Sequence, residues 1–334
     1  MRLINIQLIN WFRVPVLAAG LLMSSCDMHS SSSLVVPSSP KLEDYQRVPF
    51  IAARSQSESD GSFAYESRQG TLSAGECYAH ADMPRVEPIY IVRNEIETVI
   101  RNTEASAEES NIVLYMHGYN ESFENSCARA TSIQAKLNLA GRLLLFSWPT
   151  KNNSWSYRGD LENLSNVQDS LMQVLTQLQD AVGAENITLI GHSLGAKGMV
   201  EALKRIPLPD NSQNRIDKLI LLAPDIARDD FLLMSDALQQ RVNSIVVFVS
   251  SRDRALKLSQ SVHRKPRLGQ ARFQSTGNIR IVDVSKAGGF GLSGHLYHVR
   301  SPMVIRYLRN LLAGAGEPIT TEDRSSHWRL QLQN

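Results

Sequence analysis

Ile187-Thr188-Leu189-Ile190 runs into Gly191-His192-Ser193-Leu194-Gly195 and then into Ala196-Lys197-Gly198-Met199-Val200-Glu201-Ala202-Leu203. A short apolar run, a G-x-S-x-G turn and a helix-forming stretch follow one another without a break. Glycines flank the serine because a sharp strand-to-helix turn strains the backbone and brings neighbouring chain very close. The turn presents a hydroxyl at a helix N-terminus, which makes Ser193 a candidate nucleophile. A structural turn serine is the alternative, and the strand-to-helix context favours the nucleophile.

Working outward, continuous apolar runs of the same kind occur at 111–116, 142–146, 218–222, 244–249 and 279–284, with earlier candidate strands at 48–53 and 76–81. Such runs suit strands covered on both faces. Helical patterns lie between them. The clearest stripe is Leu161, Leu164, Val167, Leu171, Val174, Leu175, Leu178 and Val182, at spacings of three and four. Strand and helix in alternation predict a mostly parallel, doubly wound sheet with right-handed crossovers. Only about twenty residues separate the runs at 218–222 and 244–249, so no large cap domain is expected there and the site should be open.

Ligands of such sheets bind at the carboxyl ends of the strands. The run at 111–116 ends in His117-Gly118-Tyr119-Asn120. This is where a second backbone donor for a developing oxyanion belongs, beside the N–H of Leu194. Tyr119 is the expected donor and Asn120 the less favoured one. His117 is expected as a packing residue on that side. With this elbow, acid and base follow the serine along the chain. Of the later histidines, His327 falls in a polar tail and His263 in the basic segment 263–267, read as solvated surface. His295, in a glycine-rich loop after the last apolar run, is the expected base, with His298 as runner-up. Asp253, after the run at 244–249, leads Asp225 as the acid that would orient the imidazole. Asp225 is then a lining or capping residue, and His192 joins His117 and Asn120 among the candidate lining residues.

HGYNESF (117–123), LLFSWPT (144–150), GHSLG, LLAPDI (221–226), VSSRDRALKLSQ (249–260) and GHLYH (294–298) occur in that order. Together they resemble a bacterial α/β-hydrolase family of unknown function, usually described as esterase- or lipase-like, over about residues 46–312. The resemblance implies an α/β-hydrolase fold. By position it supports Ser193, Asp253 and His295 as the catalytic set, and it puts Trp148 and Tyr157 near the rim of the site. The implied activity is a serine hydrolase (carboxylesterase- or lipase-like) acting on a small-molecule or lipid ester or thioester. A peptidase or acyltransferase of the same fold, and an inactive hydrolase-fold binding or scaffold protein, are the alternatives. No cofactor is expected: the His, Asp and Cys residues lack compact zinc spacings, and no G-x-x-x-x-G-K-[ST] loop occurs.

The 334 residues hold 35 Lys plus Arg against 33 Asp plus Glu, a net charge of +2. That balance excludes a polyanion-binding composition, so no nucleic-acid partner is expected. Both excess charges are Arg2 and Arg13, in residues 1–25, which otherwise read as an export signal with an apolar run too short to span a bilayer. Ser24-Ser25-Cys26 then resembles the lipobox of bacterial lipoproteins, in which Cys26 would carry the lipid anchor. A simple cleaved signal or an uncleaved anchor is the alternative. The implied location is the cell envelope, facing the periplasm, with Asp27 favouring the inner membrane. Residues 26–45 read as a Ser/Pro-rich tether, 46–316 as the hydrolase domain and 317–334 as a polar tail. Cys77 and Cys127 remain as a pair that an oxidising compartment could bridge, or as two separately buried thiols.

Overall fold

Isoleucine, valine and leucine crowd the strands of this sheet, because strands lying between two layers of helices need apolar side chains on both faces. In the strand running through 112–116, Ile112, Leu114 and Met116 face one core layer and Val113 and Tyr115 the other. The computed structural model describes residues 45–55, 63, 71–79, 89–92, 95–105, 111–139, 142–151, 157–209, 214–270, 273, 277–288, 291, 293–314, 320–323 and 327–330. All of them belong to the unit Lys41–Asn334. The export-signal reading, Cys26, Asp27 and nearly all of the tether lie outside the described residues.

The strands are β1 (Gln46–Ala52), β2 (Ser73–Ala79), β3 (Ile89–Val92), β4 (Ile112–Met116), β5 (Leu143–Ser147), β6 (Ile187–His192), β7 (Ile216–Leu222), β8 (Val242–Val249), β9 (Ile279–Asp283), β10 (Thr320–Asp323) and β11 (His327–Leu330). They form one sheet in the order β10-β11-β9-β8-β7-β6-β4-β5-β1-β2-β3. From β1 through β5, β4, β6, β7 and β8 to β9 every neighbouring pair is parallel. β2 and β3 extend one edge as antiparallel strands. Each apolar run read from the sequence is a strand. The polar tail is a correction: its residues form the hairpin β10–β11, and β11 pairs in parallel with β9. An edge strand needs no continuous apolar run, so a search for such runs passes over it.

The helices are α1 (Ile96–Ala105), α2 (Phe123–Leu137), α3 (Tyr157–Asn166), α4 (Gln168–Val182), α5 (Leu194–Arg205), α6 (Arg228–Gln239), α7 (Arg254–His263), α8 (Tyr297–Arg300) and α9 (Pro302–Leu312). The long stripe at 161–182 is two helices, because Val167 leaves the helical region at φ −93°, ψ 2°. Leu164, Val167 and Leu171 are all buried in one core, so the stripe runs unbroken across the kink and periodicity does not reveal it. The single helix α6 connects β7 to β8. No helix among the described residues is long and apolar enough to cross a membrane.

Cys77 of β2 and Cys127 of α2 are bridged, with their Cα atoms 6.2 Å apart. The bond closes a loop across a sequence separation of 50 and ties the antiparallel edge to a helix of the parallel region. Reduction, or Cys127→Ser, is expected to lower stability by about 2–4 kcal/mol, read in urea unfolding as a lowered midpoint with a slope that rises as the released unfolded chain expands. No shift on reduction would contradict a structural role for the bridge.

Candidate active site

The chain leaves β4 toward β5 on one side and β6 toward β7 on the other. That reversal opens a crevice at the carboxyl ends of β4 and β6, where open α/β sheets take their ligands. Ser193 sits there at φ 54°, ψ −119°, between β6 and α5. Its N–H donates to the carbonyl of Leu222 at 3.0 Å, and its carbonyl accepts from Asp225 N–H at 3.2 Å. A Cβ added to Gly195 would lie 2.3 Å from the carbonyl oxygen of His117 and 2.4 Å from that of Met116. Those are backbone atoms of the β4 end and cannot yield, which is why this position is glycine.

Asp253 and His295 approach from the next strand ends. Asp253 caps α7, its Oδ1 accepting from Leu256 N–H at 3.0 Å. Its Oδ2 lies 2.7 Å from Nδ1 of His295. A carboxylate only accepts, so Nδ1 donates to it, and in the neutral ring Nε2 is the nitrogen with the free lone pair. Nε2 of His295 and Oγ of Ser193 are both buried, neither has a hydrogen-bond partner among the described residues, and both residues line one cavity. The loops carrying acid and base are joined to each other. Arg254 N–H donates to Ser293 O at 2.8 Å. Gly294 adopts φ +69° so close to the acid that a Cβ would meet the Arg252 carbonyl oxygen at 2.5 Å. The hydroxyl of Tyr297 accepts from Ala223 N–H at 2.7 Å and donates to Phe248 O at 3.1 Å, bridging the ends of β7 and β8.

Asp225 does not meet a triad histidine. Its carboxylate accepts from Ser259 Oγ at 2.7 Å and Tyr157 OH at 2.8 Å, and Nε of Arg267 lies 3.2 Å away as an ion pair. Burial and the Asp225 charge push the Tyr157 phenol up, so it remains a donor. Arg267 is 5% exposed. It belongs to the basic segment that reads as solvated surface, and here the structure corrects the sequence. Residue 267 bridges Ala227, and Pro266 O accepts from Arg228 N–H at 2.9 Å, folding the segment inward.

On the oxyanion side, Asn120 takes φ 61°, and its backbone N–H acts to lower the carboxyl of Asp160 against the larger effect of burial. Tyr119 and Tyr157 meet edge to face at 5.5 Å on the wall of the cavity. Asn120, Trp148 and His192 are corrections as lining residues, for none of them lines it; His117 does not line it either and packs as expected. His117 is buried, its Nδ1 donating to Gly118 O at 2.8 Å and its Nε2 accepting from Trp148 N–H at 3.2 Å. Trp148 is 0% exposed and donates its indole N–H to His117 O at 2.8 Å, packing beneath the loop instead of at the rim. His192 lies behind His295, donating Nε2–H to its carbonyl at 3.2 Å, with its ring tilted 43° against that of His298 at a centroid distance of 4.4 Å. The buried Arg54 also belongs to this support: it donates to Ser147 Oγ at 3.0 Å and Glu121 O at 3.0 Å. Lone residues in non-apolar surroundings, such as Arg54, Ser259 and Arg267, give no pattern that sequence reading could have found.

The cavity holds about 80 Å³ and is lined by Tyr119, Tyr157, Ser193, Asp225, Leu256 and His295, with the exposed Leu258 and Val262 of α7 at its mouth. Sheet, elbow and loop positions together define an α/β-hydrolase fold. The chain belongs to the family described as "Alpha/beta hydrolase of unknown function (DUF900)", whose model matches residues 92–313. Similar solved structures include a predicted CIB-like hydrolase from Thermoplasma acidophilum (14% identity, 73% of this chain and 94% of that one, TM-score 0.35). The thermophilic carboxylesterase EstE1, cloned from a metagenomic library, is similar at 14% identity (73% of this chain and 84% of that one, TM-score 0.37). A Pyrobaculum calidifontis esterase is similar at 10% identity (80% of this chain and 82% of that one, TM-score 0.36). No curated protein shows a significant match.

Burial, first, holds His117, His192 and His298 well below the ordinary histidine range; Arg54 adds to this at His117, His298 at His192 and Arg129 at His298. Each is neutral in the fold, whereas the unfolded chain takes up a proton near pH 6.5. A depressed folded pKa contributes stability that is present above pH 6.5 and lost as pH falls, by up to about 1.4 kcal/mol per pH unit for each group. Glu121 and Asp160, raised by burial, act in the opposite sense at lower pH. Stability is therefore expected to fall between pH 6.5 and 5. His298→Phe should flatten that slope by up to about 1.4 kcal/mol per pH unit in urea unfolding. An unchanged slope would place the titration elsewhere.

Proposed function

We propose that this protein is a serine hydrolase that cleaves an ester or thioester by two-step acyl transfer. The observation that carries the reading is the 2.7 Å pair of His295 Nδ1 with Asp253 Oδ2, together with the buried Nε2 of His295 and Oγ of Ser193, both without a hydrogen-bond partner among the described residues and both on residues that line one cavity. Catalytic contacts of this type are often long without substrate and tighten when it binds. His295 Nε2 takes the Ser193 proton as Oγ attacks the carbonyl, and the oxyanion receives the N–H groups of Leu194 and Tyr119. The imidazolium, held by Asp253, gives its proton to the leaving group. Water then repeats the sequence on the acyl-enzyme and frees the acid. Leu258 and Val262 at the mouth give an acyl chain an apolar surface, which favours an ester over a peptide.

The location proposed is the cell envelope, with the chain held by lipid on Cys26. The export-signal pattern of residues 1–25 and the Ser24-Ser25-Cys26 sequence support this, as does the Cys77–Cys127 bridge, since such bonds persist in oxidising compartments. Apart from the leader the charges balance at 33 to 33, so net charge offers a bilayer no attraction and the lipid must supply it.

A fluorophosphonate probe is expected to label the wild-type chain and not Ser193→Ala. His295→Ala should lower kcat/KM by about 10³-fold or more, far beyond His298→Ala. An unlabelled wild type, or equal labelling of Ser193→Ala, defeats the hydrolase reading and leaves a binding protein on this fold. Palmitate incorporation and membrane fractionation should both be lost in Cys26→Ala; a variant still labelled and still membrane-bound defeats the anchor.

A further inference from the structure

Beside the serine cavity lies a larger one of about 330 Å³, and Tyr157 and Asp225 line both. Its walls carry Lys197, His263, Lys265 and Arg267 among the acids Glu201 and Asp230. On paper the charges cancel. Lys197 pairs with Glu201, Lys265 with Asp230 at 3.3 Å, and Arg267 with Asp225 at 3.2 Å. The first two pairs are partly exposed and exchange partners at little cost.

What separates cations from acids here is unmet bonding capacity. Both oxygens of Asp225 are occupied, by Ser259, Tyr157 and Arg267. Arg267 is more than nine-tenths buried, and its Nη2 has no acceptor among the described residues. Nε2 of His263 is likewise buried and without a partner, its ring packed against Tyr157 at 5.2 Å. A buried guanidinium nitrogen with no acceptor is costly to maintain, and the native remedy is a charge-assisted bond to an anionic oxygen. An arginine fork also matches the planar oxygens of a carboxylate or phosphate better than any lysine does.

We propose that this second cavity is an anion subsite of the candidate active site, in which Arg267, flanked by His263, Lys197 and Lys265, receives a carboxylate or phosphate group carried by the substrate. The substrate class is then an ester bearing a negative charge a short reach from the scissile carbonyl, past the Tyr157–Asp225 contact. The substrate part of this rests on the serine-hydrolase reading; anion binding at Arg267 does not.

Binding is tested on the full-length chain carrying Ser193→Ala, titrated calorimetrically with glutarate and with inorganic phosphate. Saturable binding of at least one anion is expected, weakened about tenfold or more by Arg267→Gln. If Arg267→Gln fails to fold, Arg267→Lys makes the comparison, since it keeps a charge facing Asp225 and loses the fork. Binding of neither anion, or binding indifferent to Arg267, overturns the subsite. Glutarate alone identifies a carboxylate, phosphate alone a phosphoryl group. Turnover is tested on the active full-length chain with 4-nitrophenyl valerate against the 4-nitrophenyl ester whose acyl chain ends in the anion that bound. The charged ester is expected to lead by about tenfold in kcat/KM, and the ratio to fall toward one in Arg267→Lys. A ratio at or below one in the wild type overturns the substrate class. If neither ester reacts and the fluorophosphonate does not label, the hydrolase reading has failed, and the calorimetry still decides the anion site.

Discussion

The β6–α5 turn is pressed against the last two carbonyls of β4, and the position of every other group in the site depends on that contact. Gly195 can make it because it has no Cβ. The approach forces Ser193 into a backbone conformation that L-residues avoid, at a cost of about 1–3 kcal/mol for such outliers. Two hydrogen bonds to the end of β7 and the fully buried Leu194, Met199 and Val200 of α5 hold it there. The same contact sets the Leu194 N–H beside the loop that carries Tyr119. The proposed nucleophile and oxyanion donors are thus parts of one backbone junction, stabilised by the core of the sheet.

The proposed acid and base are held by a different device. Asp253 is fully buried yet has a helix N–H on one oxygen and His295 on the other, so its desolvation is compensated on both sides. The Arg254–Ser293 hydrogen bond and the close fit of Gly294 join the two loops into one body. Behind it, the neutral rings of His192 and His298 pack at a tilt where an ionised group would be expensive. The base thus rests on a surface whose charge state is fixed at neutral pH.

Much of this was legible in the residues. Apolar runs located the parallel strands, and the strand-turn-helix context located the serine. Chain order together with strand ends selected Asp253 and His295, which the structure brings within hydrogen-bond distance. Where the reading failed, the cause was side-chain direction. His192 precedes Ser193 at a strand end, and successive strand residues point to opposite faces. That alternation alone could have removed it from the lining. Trp148 stands at the right end of β5 but turns into the core, which position along the chain does not encode. Arg267 was hidden by its neighbours: four of the residues at 263–267 are basic or histidine, and such a run looks exposed until Pro266 and Arg267 are seen pairing with the start of α6.

The hydroxyl of Tyr297 fills the place of a ladder bond between the ends of β7 and β8, touching Ala223 on one strand and Phe248 on the other. It works as a shim that fixes the gap between the strand ends that lead to Asp225 and Asp253. Tyr297 is only two residues beyond His295, on the same short stretch of chain. The width of the crevice and the placement of its base are therefore a single inherited unit: drift in this loop shifts both together, and a site of altered breadth requires a repositioned histidine as well.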